Sequence, residues 1–224
     1  MGDAIGQVLS FALGVAISPV PIIAVVLMLA TPTGRVNGPA FLVGWCVGLA
    51  VVGTVVLLAA SGGGPTSGGE PATWISWLKI GLGALLLLVA VKQWQGRPKS
   101  GAQADLPAWM QTLDRFSPGK AAGAGALFSG VNPKNLLLTV GAAAAIAQTG
   151  ASTGSQAVAL LVFIVIGALG PGIPVGIYFT MGEKGTALLA SLKTWMGIHN
   201  AAIMTVLCLI LAMKLLGDGI SGLS

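Results

Sequence analysis

The stretch Gly130-Val131-Asn132-Pro133-Lys134-Asn135 lies in the middle of an apolar segment, and Ala16-Ile17-Ser18-Pro19-Val20-Pro21 lies in the middle of another. Each carries a proline that removes a backbone donor and clashes with the preceding helical turn. In water such a stretch would be a loop. In a bilayer it is a broken helix, and irregular backbone is tolerated there only when buried in protein or lining a cavity. Two such breaks at matching places in two halves are the pattern expected of a transporter's binding site.

The surrounding composition selects the bilayer. The chain has 224 residues, is 55% hydrophobic and 8% charged, and has a mean hydropathy of +0.92. Soluble domains carry about 25% charged residues. At roughly 20 residues per spanning helix, the length accommodates about six spans with short connections. The fold class expected is an all-α polytopic membrane protein of six transmembrane helices. No cleavable signal peptide is expected, because Met1-Gly2-Asp3 lacks a basic start and the apolar run continues beyond any cleavage site. Cys46 and Cys208 fall inside expected spans and read as small buried hydrophobes. The net charge of +5 reflects loop lysines and arginines, not a nucleic-acid partner.

Taken in order, residues 4–30 form the first segment, split at Ser18-Pro19. A span from Pro39 to Ala60 carries Gly44 and Gly48 at the spacing that lets another backbone approach closely. A Gly/Pro/Ser-rich loop, Ser61 to Pro71, precedes a span from Trp74 to Trp94 with tryptophans at both ends. The polar stretch Gln95 to Ser117 combines a basic linker with an apolar spacing at Leu106, Trp109, Met110 and Leu113. That spacing predicts a short amphipathic helix, either on the membrane surface or packed on the bundle as a plain connector. The fourth segment, 119–148, breaks at Asn132-Pro133. The fifth, 156–181, contains Gly170-Pro171-Gly172-Ile173-Pro174, read as a third break. Gly182-Glu183-Lys184-Gly185 begins a loop, and the last span runs from 194 to 216 with His199 and Asn200 in its first third.

The segments group as three and three. Each triplet opens on a proline-broken segment and closes on a span begun by tryptophan. Ser18 and Asn132 are 114 residues apart, and Trp77 and Trp195 are 118 apart. The expected organisation is a first three-helix repeat (1–94), a basic cytoplasmic linker with its amphipathic helix (95–118), and a second repeat (119–224). Three spans per repeat invert the second copy relative to the first. With six spans, Arg35, Lys92, Arg97, Lys99, Arg115, Lys120, Lys184 and Lys193 share one side and Lys79 and Lys214 the other. The positive-inside rule puts the larger set in the cytoplasm and both termini outside.

The chemistry of the spans is narrow. The six acidic residues, Asp3, Glu70, Asp105, Asp114, Glu183 and Asp218, all fall at span ends or in loops. That argues against a carboxylate proton relay and against a site of hard oxygen ligands for a metal. No nucleophile triad or zinc pattern is present, so neither catalysis nor a cofactor is expected. Lys134 is the exception, a cation one residue past the Pro133 break. A lysine there is costly and by default functional. With Asn132, Asn135 and the freed amides of the following half-helix, it could receive a phosphate, sulfate or carboxylate. Alternatively it snorkels to an interface, if segment four begins later than drawn. His199 could titrate near neutral pH or sit as a hydrogen-bonded interfacial residue, and Asn200 beside it has the same two readings.

Pro19-Val20-Pro21, Gly34-Arg35 with Gly38, and Gly44 with Gly48 resemble the first half of the LysE-type exporter superfamily. The Ser18-Pro19-Val20-Pro21 and Asn132-Pro133-Lys134-Asn135 openings and the basic linker between them are most similar to its glycolipid-addressing branch, the Gap-like or sulfolipid-addressing proteins. The resemblance implies a membrane transporter or flippase moving an anionic lipid or glycolipid of the cell envelope across the cytoplasmic membrane, with membrane lipids as partners and a possible homo-oligomer. Amino-acid exporters of the superfamily carry acidic residues in their spans, which this chain lacks. The alternatives are a LysE-type exporter of a small solute and a non-transporting scaffold for envelope-lipid assembly. The candidate substrate-binding residues are Ser18, Pro19, Pro21, Asn132, Pro133, Lys134, Asn135, Gly170, Pro171, Pro174, His199 and Asn200.

Overall fold

The computed structural model describes residues 2–61, 73–96 and 116–223. The expected loop 61–71 lies almost wholly outside the described residues, and so does nearly all of the amphipathic helix expected at 105–116. Among the described residues the fold is all-helical, with seven helices: α1 (Gly2–Ala16), α2 (Pro19–Leu29), α3 (Gly34–Ser61), α4 (Thr73–Gln95), α5 (Pro118–Gly130), α6 (Pro133–Gln148) and α7 (Thr153–Ser221). Three of these, Gly34–Ala60, Thr73–Gln95 and Thr153–Ser221, are long and apolar enough to cross a membrane. The pair α1/α2, bent by 52°, makes a fourth candidate. The chain is a multi-pass membrane protein.

Both expected breaks are present. Ser18 and Asn132 leave the helical region and act as N-caps, and Pro19 and Pro133 occupy the first turn of the helix that follows. There a missing N–H costs nothing and the fixed φ suits the helix. At 13 and 16 residues, α5 and α6 each rise about 20–24 Å, less than the roughly 30 Å hydrocarbon core.

Two expectations are corrected. Gly170-Pro171-Gly172-Ile173-Pro174 is not a break, since α7 runs through both prolines with helical backbone. The loop expected from Gly182 toward residue 194 is a single residue, Gly182, at φ 55° and ψ −131°. A β-carbon disfavours that conformation, so glycine serves. The reversal there is tight enough that a Cβ on Gly185 would lie 2.8 Å from the Ile177 carbonyl oxygen. Helix resumes at once and continues to Ser221.

Helices from the two expected repeats pack against one another. α3 packs on α5 and α6, α4 on α7, and α1 on α6 and α7. A single core results, with Phe11, Phe41, Trp45, Leu138, Phe163 and Leu215 fully buried. Gly44 and Gly48 do admit a neighbouring backbone, that of α5: a Cβ on Gly44 would lie 1.8 Å from the Ala122 carbonyl oxygen.

The helix ends fall into two groups. At one end, the Lys79 ammonium at the start of α4 donates to the Gln148 side chain at the end of α6. Lys214, near the end of α7, pairs with Asp218 at 2.8 Å and reaches Gln7 of α1 at 3.5 Å. At the other end, Asn37 near the start of α3 donates to the Phe116 carbonyl just before α5, at 2.8 Å. There, too, the last turn of α2 shares a small cavity with Tyr178, Thr186 and Lys193 from both sides of the Gly182 corner.

Candidate functional site

The two breaks meet. Lys134, in the first turn of α6, is 3% exposed. Its ammonium crosses to the first break and donates to the Gly14 carbonyl at 2.6 Å and to the Ser18 hydroxyl at 2.5 Å. The Ser18 hydroxyl donates in turn to Asn135 Oδ1 at 3.0 Å. Asn135 Nδ2 donates at 2.9 Å to the carbonyl of Phe128, in the last turn of α5. Asn132 Oδ1 accepts the Lys134 amide at 3.1 Å and caps α6.

This arrangement follows from what a break leaves behind. The last four carbonyls of a helix have no intrahelical donor, and buried carbonyls need partners. In the second half-helix, Lys134 serves the end of α1 and Asn135 the end of α5. The electrostatics agree. The backbone of Lys134 sits at the positive end of α6, where a cation is disfavoured, and its side chain carries the charge to the negative end of α1. Ser18 is an N-cap whose hydroxyl makes no capping bond, and its oxygen accepts the ammonium instead. The described partners of Lys134 are a carbonyl and a hydroxyl. These dipoles lower the cost of burying the charge, and among the described residues no carboxylate pairs with it.

The other candidates divide. Pro19 and Pro21 are buried in the first turn of α2. Gly170 joins the junction, because a Cβ there would lie 2.2 Å from the Ala16 carbonyl oxygen. Pro171 is buried one residue on, and Pro174 in the following turn. Pro133 is exposed and lines an apolar groove. His199 is not brought in. It is exposed on the later part of α7, stacks on Trp195 with ring centroids 4.8 Å apart, and bonds the Trp195 carbonyl at 2.8 Å. Asn200 is half-buried beside it, with Oδ1 unpartnered among the described residues. No group of three or more His, Cys, Asp or Glu side chains gathers among the described residues to hold a metal ion.

Sequence reasoning missed Gly14, although the signal was available: it lies four residues before Ser18, so its carbonyl is one that the break frees. It also missed how deeply Lys79 is buried, at 4% exposure with Gln148 as partner. It missed Trp45 as well, whose indole donates to the Gly167 carbonyl at 3.1 Å.

A family model described as Sap, sulfolipid-1-addressing protein, matches residues 8–221. Both breaks, Lys134 and Gly170 lie inside the matched span. Comparison with curated proteins and with solved structures finds no match.

Proposed function

The chain belongs to the sulfolipid-1-addressing protein family, and from that premise we propose that it is a transporter or flippase moving an anionic lipid or glycolipid of the cell envelope across the membrane. Family membership itself implies a membrane role in sulfolipid handling. One observation carries the finer reading: a lone ammonium, 3% exposed, at the meeting point of two helix breaks and held by neutral dipoles. A sulfate or phosphate head group reaching that point would exchange a carbonyl and a hydroxyl for a full negative charge. Charge-assisted hydrogen bonds are roughly twice as strong as neutral ones. The junction is closed around the lysine, so loading requires the first break and α6 to part.

The reading includes six crossings in two inverted three-helix repeats, 1–94 and 119–224 joined by 95–118, and no chemical step. The grouping of helix ends supports it. With six crossings the start of α1, the start of α4, the end of α6 and the end of α7 share one side, and those are the ends joined through Gln7, Lys79, Gln148, Lys214 and Asp218.

The test is head-group flipping in proteoliposomes containing a sulfated glycolipid and, separately, its unsulfated counterpart. Lys134→Met keeps the length and removes the charge. Loss of a desolvated charge-assisted contact is worth about 1.5–3 kcal/mol, a roughly tenfold to hundredfold loss in affinity for the sulfated lipid. Lys134→Arg should keep part of the activity, and Lys134→Glu should be the poorest. Wild-type flipping by a properly assembled Lys134→Met variant would remove the anion reading. Solute counterflow without lipid flipping would favour the small-solute exporter, and neither activity would favour the scaffold.

A further inference from the structure

A lipid-facing feature lies beside the second break. A cavity of about 440 Å³, within the range of small-molecule sites, is lined by Leu85, Leu88, Lys92, Val131, Pro133 and Leu137, among others. Its origin is the break itself. α5 packs on α3, whereas α6 turns toward α1, α3 and α4, and the first turn of α6 and the second half of α4 leave a trough between them. From Leu85 to Lys92 the trough runs about 10 Å along α4. Its walls are aliphatic, and Val131 at the break is 64% exposed.

We propose that this groove docks one acyl chain of the anionic lipid that the protein moves, with the lipid's charged head group on Lys92. The proposal rests on the transport reading and deepens it. The occupant is argued from charge. Lys92 is the only cation among the lining residues, and it sits in the last turn of α4, two residues before the exposed Trp94 ring. Amphipathic rings of this kind mark the level of the head groups. A chain entering beside Lys92 runs inward along Leu88 and Leu85, flanked by Pro133, Leu136 and Leu137 of the first turn of α6. The adjacent residue on α6, Lys134, makes the bonds that hold the junction closed. The groove therefore sets a lipid with its head group at the membrane surface and its chain against the turn that must move for the junction to open. A neutral lipid would fit the walls equally well and gain nothing from Lys92. One lysine near a membrane surface favours an anionic head group by about fivefold.

The experiment uses the full chain in phosphatidylcholine nanodiscs doped with a sulfated galactosylceramide carrying a photoactivatable acyl chain, or with the same lipid lacking the sulfate. Adducts are mapped by mass spectrometry. The proposal expects adducts concentrated on peptides containing Leu88, Val131 and Leu137, with the sulfated probe favoured about fivefold. Lys92→Gln should bring the sulfated probe down to the level of the neutral one. Val131→Trp, at an exposed position, should fill the groove and suppress both. Two results would overturn it: equal labelling by the two probes in the wild type, or adducts as dense on the exposed Val43, Val51 and Val55 face of α3 as in the groove. The second would be the signature of annular lipid only. Flipping is measured on the same preparations. Lipid flipping with an unlabelled groove removes the groove and leaves the transport reading. Selective groove labelling without flipping upholds the binding site and removes its role in transport.

Discussion

The indole of Trp45 illustrates how a single residue decides whether a proline breaks a helix. Pro171 cannot donate to the carbonyl four residues back, that of Gly167, and the carbonyl is buried. Trp45 supplies the missing donor from α3 at 3.1 Å. With the carbonyl satisfied, α7 keeps helical backbone through a sequence that reads as a break. Trp45→Phe keeps the packing with Phe41, whose ring lies 6.2 Å away, and leaves the carbonyl unpaired. Hydrogen bonds between membrane helices are worth about 0.6 kcal/mol on average and about 1.7 at most. Unfolding of the detergent-solubilised protein should therefore show a loss within that range for Trp45→Phe. Trp77→Phe, at an exposed position, should show none. Equal effects of the two substitutions would mean that the indole bond is not what holds α7 together at Pro171. The residue scale was partly legible in the sequence. Lys134 stood out because cations are rare in spans. Trp45 did not, because its partner is a backbone carbonyl 122 residues away, and no local pattern encodes that pairing.

Among the elements, proline has two outcomes here, and the preceding residue separates them. Ser18 and Asn132 are good N-caps, so the Pro19 and Pro133 that follow begin new helices. Gly170 has no side chain to offer as a cap, and α7 continues past Pro171. From their prolines alone all three sites read as breaks; the capping residue is the local signal that distinguishes the two real breaks from the false one. Small-residue spacing needed the structure too. Gly44 and Gly48 face the α5 backbone, with a Cβ on Gly48 lying 2.1 Å from Ser129 Oγ and 2.7 Å from the Ala126 carbonyl oxygen. Gly119 and Gly123, on α5, meet nothing within 4 Å. Gly44→Ala should force α3 and α5 apart, since the obstruction is backbone and cannot rotate away; overpacking of this kind costs about 1–3 kcal/mol. Gly123→Ala should be neutral or stabilise by up to about 1 kcal/mol through helix propensity. Thermal unfolding of the two variants side by side checks both, and a stable Gly44→Ala would contradict the close approach of α3 and α5.

For the molecule as a whole, the proposed six-crossing arrangement and the charge distribution make one joint prediction. The helix ends joined through Lys79, Gln148, Lys214 and Asp218 lie at one end of the bundle, and with six crossings Lys79 and Lys214 would be the basic residues of that side. With six crossings, Arg35, Lys92, Lys120, Lys184 and Lys193, together with Arg97, Lys99 and Arg115 of the linker, would fall on the other side. Eight against two is a strong asymmetry for a rule that counts lysines and arginines in short loops, and it assigns the linker to the cytoplasm and both termini to the outside. A single cysteine at Ser100, in a background with Cys46 and Cys208 replaced by alanine, should stay unlabelled by an impermeant maleimide in intact cells and label fully once they are opened. A cysteine at Gly2 should do the reverse. Labelling of Ser100→Cys from outside with Gly2→Cys protected would invert the molecule and place Lys92 and its groove in the outer leaflet. Labelling of both from the same side would mean an even number of crossings between them, so that the first broken segment, α1 and α2, turns back within the membrane. In that case the meeting of Ser18 with Lys134 would remain, but the two halves would no longer be inverted copies.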